Sequence, residues 1–504
     1  MSEKMNILFI ITDQQRVDHL SCAGNPILKT PNMDNIAKGG VRFTNAFCTN
    51  PMCMPNRACI LTGLYPNMHG VRSNGINLPL NIPTFTQSLQ KSGWHTATIG
   101  KIHLQFQAPR IDMVSRSVER IAAWISEKYR TKMRSEFPLP YYGFDEVEIV
   151  LGHGDLCAGH YLDWLEERAP QYSKSMGKRF EKFFNAIYYD TEFSEELYPT
   201  TYITERTISF FERYSQGKYG SKPFFLHCSF PDPHHPVCPP GRYKDMYKPS
   251  EIELPPSFDD GKNLGQHKFL GKHVNSVLRG ALLREATEEE TRKFTASTYG
   301  SIAMIDASIG KILTSLEKLG LADNTMVIYT SDHGDLMGDH GLLLKGPCPF
   351  KGILNVPLLW KVPDLTKSAV SDSLVSSIDI PKTILNLLKV KRRYHPPDMQ
   401  GVDITPVLKD PTTKVRDCCL IEEDEELLNI NVRLRHLVTE EYKLTIYEDL
   451  MDFGDLYDRK NDPEELNNLW YDNNYKNLRY KLIDKLLHEN LKAQSRYPHR
   501  QALT

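Results

Sequence analysis

The sequence lacks a marked excess of charge of either sign, and it lacks any long apolar run. Its 504 residues include 61 basic and 63 acidic side chains, which leave a formal net charge of −2. This balance gives no electrostatic reason to expect binding to nucleic acid or to a membrane surface. Because no run of about 18 apolar residues occurs, we expect no membrane-spanning helix.

The ten cysteines lack any regular spacing, and no two of them form a C-x-x-C pair. We therefore expect no structural zinc site and no disulfide framework. The apolar run at residues 6–12 is too short for the apolar core of a cleaved signal peptide, and its composition is typical of a buried parallel strand. These features predict a cytoplasmic protein whose cysteines are reduced.

The chain is longer than the limit of about 250–300 residues for a single hydrophobic core, so we expect a large domain and a smaller one. Up to residue 388, apolar strand-like runs alternate with helical patterns, which predicts an α/β fold with a large, mainly parallel sheet flanked by helices. Beyond a basic, proline-containing link at 389–397, the pattern predicts a smaller C-terminal α+β subdomain with an antiparallel sheet, so we place this subdomain and the tail at 389–504. Residues 105–200, rich in charge and aromatic side chains, have no clean period and fit an insertion over a site or a helical decoration equally well.

Individual elements follow from apolar periodicity and from capping residues. The predicted strands cover 6–12, 41–43, 94–99, 224–227, 326–330, 419–421, 435–438, 442–447 and, more weakly because of its proline, 356–360. The predicted helices begin at Thr30-Pro31 and cover 84–91, 377–388 and 475–491.

The segment Cys53-Met54-Pro55-Asn56-Arg57 places a small nucleophilic side chain at the start of a short helix. Pro55 fits the first helical turn, whose free N–H groups favour bound anions. Arg57 adds a fixed cation with a planar fork that suits a tetrahedral oxyanion. Taken alone, the motif is also compatible with a buried structural cysteine.

Pairs of polar residues directly follow two of the predicted strands. Asp13 and Gln14 come after the first strand, and Asp332 and His333 come after the strand at 326–330. Two carboxylates at strand ends, each beside another side chain that can act as a ligand, suit a hard divalent cation. Either pair alone is better explained as loop or cap residues.

These motifs together resemble those of the formylglycine-dependent sulfatases of the alkaline phosphatase superfamily. C-x-P-x-R followed by Leu61-Thr62-Gly63 resembles the first sulfatase motif, Gly100-Lys101-Ile102-His103 the second, and Pro233-His234-His235-Pro236 the Pro-His-x-Pro pattern. Residues 400–404 and 456–469 resemble the C-terminal segments of the family, so matching motifs span about residues 6 to 470. The resemblance implies an alkaline phosphatase-like catalytic domain at 1–388, over which 105–200 would form an insertion.

The resemblance implies that a formylglycine-generating maturation enzyme oxidises Cys53, and that the hydrated aldehyde is the nucleophile. It assigns one divalent metal to a set of five ligands: Asp13, Gln14, Asp332, His333 and the modified Cys53. The usual sulfatase has an aspartate at the position of Gln14. Calcium is the expected metal, and the imidazole of His333 leaves manganese or zinc open.

The resemblance also implies roles for the basic side chains around the nucleophile. Arg57, Lys101 and Lys345 are expected to stabilise charge on the sulfuryl oxygens, His234 to assist departure of the alcohol, and His103 to deprotonate the aldehyde hydrate. Lys345 lies thirteen residues beyond Asp332, the spacing that the family uses, although Lys351 is close by. Because prolines flank the two histidines, we expect only His234 to face the pocket and His235 to be a bystander.

The predicted function is therefore the hydrolysis of a small-molecule or saccharide sulfate ester. The alternative is a phosphonate monoester or phosphodiester hydrolase on the same scaffold, although such relatives usually depart from the Lys-x-His motif that Lys101 and His103 retain here. A third hypothesis, an inactive anion-binding protein, would require the loss of a nucleophile, metal ligand or general acid, and none is lost. The alcohol part of the ester and a homo-oligomeric state are left open.

Overall fold

The structure is a computed structural model that describes residues 5–108, 117–183, 186–273, 283–427 and 430–495. Its strands are β1 Asn6–Thr12, β2 Val41–Phe43, β3 Ala46–Phe47, β4 His95–Gly100, β5 Glu146–His153, β6 Leu156–Gly159, β7 Phe224–Ser229, β8 Leu283–Glu285, β9 Thr325–Ser331, β10 Leu342–Leu344, β11 Leu358–Lys361, β12 Ala369–Ser371, β13 Val375–Ser376, β14 Cys418–Leu427, β15 Ile430–Thr439, β16 Tyr442–Tyr447 and β17 Gly454–Asp458. Its α-helices are α1 Pro31–Lys38, α2 Cys53–Thr62, α3 Pro66–His69, α4 Phe85–Lys91, α5 Ile121–Ile125, α6 Glu127–Ser135, α7 His160–Arg168, α8 Pro170–Phe183, α9 Pro199–Ser215, α10 Leu270–His273, α11 Glu288–Lys318, α12 Lys351–Leu354, α13 Asp379–Leu387, α14 Thr405–Lys409 and α15 Lys476–Ala493.

A nine-stranded sheet forms the centre of the molecule, in the order β12-β2-β11-β9-β1-β7-β4-β5-β6. The five neighbours from β9 to β5 run parallel to one another, whereas β11 and β6 run antiparallel to their partners. Every residue of the central strand β1 is buried, which explains its nearly continuous apolar sequence. The predicted fold class, a mainly parallel sheet with flanking helices, is confirmed.

The helices that flank the sheet fall into two groups. The longest, α11, packs against α1 and α9, whereas α13 packs against α2 and α4. A capping box between Thr287 and Glu290 fixes the start of α11, since each side chain accepts a hydrogen bond from the backbone of the other. Within the described ranges, no helix combines the length and the apolar character that crossing a membrane would require.

The C-terminal part contains the predicted antiparallel sheet, in the order β14-β15-β16-β17, against which α15 packs. The first strand of this sheet also touches the segment that leads into α2. The Glu422 N–H donates to the Thr49 carbonyl at 3.0 Å, and the Asn50 side chain donates to the Glu422 carbonyl at 2.6 Å. The C-terminal sheet therefore supports the helix that carries Cys53.

Residues 105–200 differ from the sequence prediction, which assigned no strand to them. The strands β5 and β6 lie in this segment and extend the main sheet beyond β4. The run 146–151 begins with alternating charged and apolar residues and ends with three buried apolar ones, so no single period describes it. The structure also places Pro357 immediately before β11, and both edges of that strand are paired. The proline is tolerated there because a residue outside the hydrogen-bonded ladder needs no N–H.

Candidate active site

The carboxyl ends of the central parallel strands place the predicted site residues together. Thr12 and Ser331 are in register at the ends of β1 and β9, so Asp13 and Asp332 begin neighbouring loops. Gly100 and Ser229 are likewise in register at the ends of β4 and β7, which puts Lys101 at the same edge of the sheet. Ligand sites of open α/β sheets form at this edge.

Helix α2 brings Cys53 to this edge from the side. Cys53 is the first residue of the helix, Pro55 lies in its first turn as predicted, and all ten of its residues are buried. The Cys53 Sγ atom lies 3.1 Å from His333 Nε2 and 3.2 Å from Lys345 Nζ. It also lies 3.6 Å from Asp13 Oδ1.

Four of the five predicted metal ligands form one compact group. One ligand atom from each of Asp13, Cys53, Asp332 and His333 lies within 4.8 Å of the others. The fifth residue, Gln14, adopts a φ of 64° and accepts a hydrogen bond from Lys345 Nζ at 2.7 Å through Oε1. Two carboxylates, an amide oxygen and an imidazole converge here, and this donor set fits a divalent cation.

The ring of His333 is oriented for ligation. Its Nδ1 atom lies 2.8 Å from the Gly334 carbonyl, so Nδ1 carries the proton and Nε2 presents a lone pair. Burial and the nearby Lys345 ammonium lower the pKa of His333 to about 4, which keeps the ring neutral. Lys345 Nζ lies 3.1 Å from the same Nε2 atom. The ammonium therefore stands among the groups that would surround a metal.

Arg57 pairs with the carboxylates of Asp13 and Asp332. Its Nε donates to Asp332 Oδ2 at 2.7 Å, and its Nη2 lies 3.5 Å from Asp13 Oδ2. Its Nη1 donates to the Lys101 carbonyl at 2.8 Å and to the Ser229 hydroxyl at 3.0 Å. The guanidinium thus joins the ends of β4, β7 and β9, and most of its donors are directed at protein atoms.

The cations around Asp13 decide its charge. Burial opposes ionisation, but Lys101, Arg57 and Lys345 together hold the pKa of Asp13 well below its ordinary value. Burial, followed by the negative charge of Asp13, raises the pKa of the Cys53 thiol to about 11. An unmodified Cys53 would therefore be a neutral thiol near pH 7 and a poor nucleophile.

Lys101 and His103 follow the end of β4, where the chain has left the strand. Lys101 is fully buried, and its ammonium pairs with Asp13 Oδ2. His103 adopts a φ of 57°, a reversal that lets two residues at strand spacing approach one site. Burial and the neighbouring Lys101 and Arg57 hold the pKa of His103 well below its ordinary value, which keeps its imidazole neutral in the free protein.

The two histidines of the Pro-His-His-Pro turn both lie near the site. Their rings stack with centroids 4.2 Å apart, and His235 Nδ1 lies 3.3 Å from Gln14 Nε2. The structure thus differs from the expectation that only His234 faces this region. Burial and the neighbouring His153 and Lys345 hold the pKa of His234 well below its ordinary value, which opposes an acidic role in the free protein. A bound anion would counteract this effect.

Other charged residues close to the predicted site in the sequence have different positions in the structure. Lys345 lies at the site, whereas Lys351 lies 3.2 Å from Glu464 in the C-terminal motif. Asp335 and Asp339 lie in the loop after His333, where a carboxylate can order the backbone by accepting its N–H groups. Asp335 does accept the backbone N–H groups of Met337 and Leu344, and it also accepts a hydrogen bond from the Gln14 side chain. Asp339 pairs with Arg16 at 2.7 Å.

One residue of the site was missed in the sequence. His153, the last residue of β5, stacks on His234 with ring centroids 3.6 Å apart, and its Nε2 atom lies 2.6 Å from Lys101 Nζ. The available signal was the sequence Gly152-His153-Gly154-Asp155 directly after an apolar run, because a histidine between glycines at a strand end is typical of a close backbone approach.

Comparisons with known proteins agree with this geometry. A family model described as "Sulfatase" matches residues 5–390, and one described as "N-sulphoglucosamine sulphohydrolase, C-terminal" matches residues 338–493. The arylsulfatase of Clostridium perfringens (strain 13 / Type A) is 28% identical over 500 residues, which cover 97% of this chain and 95% of the relative. The N-acetylglucosamine-6-O-sulfatase of Bacteroides thetaiotaomicron is 26% identical over 526 residues, covering 93% and 83%.

Among solved structures, the phosphonate monoester hydrolase of Agrobacterium radiobacter superimposes with a TM-score of 0.78 at 25% identity. The match covers 99% of this chain and 98% of that one. The first family model alone spans well over half of the chain and includes every predicted site residue. This chain therefore belongs to the sulfatase family of sulfuric ester hydrolases.

Proposed function

We propose that this protein hydrolyses a small-molecule or saccharide sulfate ester with a formylglycine formed from Cys53 and one divalent cation. The observation that carries the proposal is the position of the Cys53 side chain. It touches both a predicted metal ligand, His333, and a predicted sulfate-binding cation, Lys345, within 3.2 Å. In this position a nucleophile can be activated by a bound metal and can also contact an anion that the lysine binds.

The raised pKa of the thiol makes an unmodified Cys53 a poor nucleophile. The divalent cation and the formylglycine would together provide the nucleophile instead. A divalent cation, with calcium expected, would be held by Asp13, Gln14, Asp332 and His333, where it would add positive charge beside the nucleophile. Formylglycine would supply a hydrate with two hydroxyl groups: one would bond to sulfur as the S–O bond to the alcohol breaks, and deprotonation of the other would restore the aldehyde as the C–O bond to sulfate breaks.

The remaining steps belong to side chains of the chain itself. Lys101 and Lys345 would stabilise negative charge on the sulfuryl oxygens, and Arg57 would hold the carboxylates that face them. The neutral imidazole of His103 would accept the proton of the second hydroxyl group. His234 would protonate the leaving alcohol, once the charge of the bound ester has raised its pKa.

The pocket for the alcohol part of the ester would lie beside these residues. We place it between the segment 105–200, which delivers His153, and the C-terminal region 389–504, with the catalytic domain at 1–388. A relative named for N-acetylglucosamine-6-O-sulfatase activity and the C-terminal match to a sulphoglucosamine hydrolase model support a sulfated saccharide as the substrate. Similarity to a phosphonate monoester hydrolase keeps that second activity as the alternative.

A direct rate comparison on an aryl sulfate and an aryl phosphonate monoester tests the proposal, with the protein produced beside a formylglycine-generating enzyme. We expect higher kcat/KM on the sulfate, and a peptide mass showing that Cys53 has lost sulfur and become an aldehyde. Cys53→Ala should abolish turnover and leave folding intact, and Asp332→Ala should abolish metal binding where Gln14→Ala only weakens it. Faster phosphonate hydrolysis would favour the alternative, and full activity with an intact thiol would contradict the mechanism.

A further inference from the structure

His153 makes two different contacts with residues of the site. Its ring stacks on the His234 ring with an interplanar angle of 12° and centroids 3.6 Å apart. Its Nε2 atom lies 2.6 Å from Lys101 Nζ, which also pairs with Asp13. Because an ammonium can only donate, Nε2 must be the acceptor and the ring must be neutral. His153 therefore touches one side chain through its face and the other through its edge.

The backbone of the turn that carries His153 holds this residue in position. Gly152 and Gly154 adopt φ values of 90° and 54°, which favour glycine. A Cβ atom on Gly154 would collide with the Pro236 carbonyl, so the turn lies directly against the histidine loop. The Gly152 N–H also donates to Gln107 Oε1 at 3.1 Å.

The other side of the turn is fixed by Asp155, which is fully buried. Its carboxylate accepts hydrogen bonds from Arg179, Tyr189 and Thr191, and its N–H donates to Cys238 Sγ at 3.3 Å. The turn is therefore held on both sides of His153, and the side chain has little freedom to leave its two partners.

We propose that His153 is a positioning residue that aligns Lys101 through its hydrogen bond and His234 through its stacked ring. The proposal deepens the proposed function, since it relies on the roles given there to Lys101 and His234. It predicts that the two effects are separable. Loss of the acceptor should misplace the ammonium that binds the anion, and loss of the ring should misplace the proton donor of the leaving group.

Two substitutions separate the contacts in the matured, metal-loaded enzyme. His153→Phe keeps a flat ring for His234 but has no acceptor, whereas His153→Gln keeps an acceptor but has no ring. Two readouts report on the two partners. The affinity for inorganic sulfate reports on Lys101, and the dependence of kcat/KM on the pKa of the leaving alcohol, across aryl and alkyl sulfates, reports on His234. His160→Gln, in the same segment, serves as the control, because His160 Nδ1 contacts the Ile149 N–H and not the site.

For His153→Phe we expect about tenfold weaker sulfate binding, the effect of one lost charge-assisted hydrogen bond, and an unchanged leaving-group dependence. For His153→Gln we expect near wild-type sulfate binding, and a loss of about tenfold more on alkyl than on activated aryl esters. The same change in both variants, no change in either, or an equal change in His160→Gln would overturn the proposal. If the phenylalanine variant does not fold, His153→Leu, which has neither a ring nor an acceptor, should show both losses at once.

The sulfate arm is independent of turnover and can be measured by calorimetry. A wild-type protein that binds sulfate but hydrolyses no ester would refute the proposed function, and the sulfate arm would still test the contact with Lys101. A hydrolase whose sulfate affinity is insensitive to His153→Phe would instead refute the inference about His153.

Discussion

At the scale of single residues, Arg57 is a buried cation. It stabilises the site by holding carboxylate and backbone groups together rather than by exposing its guanidinium. Its side chain is 3% exposed, and its guanidinium joins the Asp332 carboxylate to the backbone after β4. The C-x-P-x-R motif predicted a cation beside Cys53, and in the structure Arg57 donates to Asp332, whose neighbour His333 contacts the Cys53 side chain. The partners of that cation come from three strands distant in sequence, so no local pattern identifies them.

Glu119 is a buried carboxyl group outside the proposed catalytic set, and it supports the loop that follows His103. Its Oε1 accepts the N–H groups of Leu104 and Gln105 at 3.0 and 3.2 Å and the Tyr141 hydroxyl at 2.8 Å. Leu104 and Gln105 directly follow His103. Burial raises the pKa of Glu119 to about 7 despite the hydrogen bonds. The folded protein thus holds a proton on this carboxyl over a pH range in which the unfolded chain has released it.

This shift predicts how stability depends on pH. Because the folded pKa lies above the unfolded one, the folded state binds more protons between about pH 4.5 and 7, and stability falls as pH rises through that window. Glu119→Gln keeps the Oε1 acceptor and cannot ionise. We expect equal stability of variant and wild type at pH 4, and a variant more stable by about 1–3 kcal/mol at pH 8.

Urea unfolding at the two pH values measures this difference. The exposed residue Glu181 on α8 provides the control, because Glu181→Gln should differ from wild type by the same amount at both pH values. A difference for Glu119→Gln that does not grow with pH would show that its carboxyl is ionised in the folded protein.

The residues that the sequence predicted and those it missed differ in how they reach the site. Asp13, Asp332 and Cys53 belong to short motifs at an element boundary, so local sequence indicates their place. His153 reaches the site because β5 adds to the sheet beside β4, a pairing set by long-range packing. Propensity and periodicity carry no information on which strand becomes a neighbour.

At the scale of elements, the strands of the parallel sheet were predicted well where both faces are covered. The fully buried strands β1, β7 and β9 each contain a run of three or more consecutive apolar residues, and each was expected within two residues of its observed bounds. The strand β5 begins with charged residues that alternate with apolar ones, and this mixed pattern hid it. The order of the strands follows from tertiary packing and was not predictable from any one segment.

The end of β4 is an element-scale feature with a sharp steric requirement. Gly100 adopts a φ of 109°, and a Cβ atom there would collide with the Ser229 carbonyl on β7. We therefore expect Gly100→Ala to separate the two strand ends, because backbone atoms cannot move aside as a flexible side chain can. The free energy of unfolding should fall by about 2–4 kcal/mol. Activity should fall as well, since Lys101 follows directly.

Urea unfolding and a rate assay on an aryl sulfate check this expectation. Gly177→Ala is the matched control, because Gly177 lies inside α8 and a Cβ atom added there would make only an ordinary contact, 3.6 Å from Ile125 Cγ2. That substitution should be neutral or stabilising by up to about 1 kcal/mol. If both variants lose stability equally, the close approach of β4 and β7 is not what Gly100 provides.

At the scale of the whole molecule, the C-terminal sheet shares its core with the main body of the chain. One buried cluster joins Cys59 and Ile378 of the main part to Leu420 and Leu437 of the sheet. The Glu422 carboxylate also accepts two hydrogen bonds from Asn67, at 3.0 and 2.9 Å. The proposed boundary near residue 388 therefore separates two regions that depend on each other for burial.

This shared core predicts that both regions unfold in one transition, although the chain is long enough for two. Removing 389–504 would expose the apolar side chains around α2, so the catalytic part should not fold alone. Hydrogen exchange pulses along a urea series, read by peptide mass, can follow β14–β16 and β1 with β9 separately. We expect coincident midpoints for the two sets of peptides. Exchange of the C-terminal peptides at clearly lower urea, with Cys53 still protected, would show instead that the sheet is an independent unit, and that α2 holds its place without it.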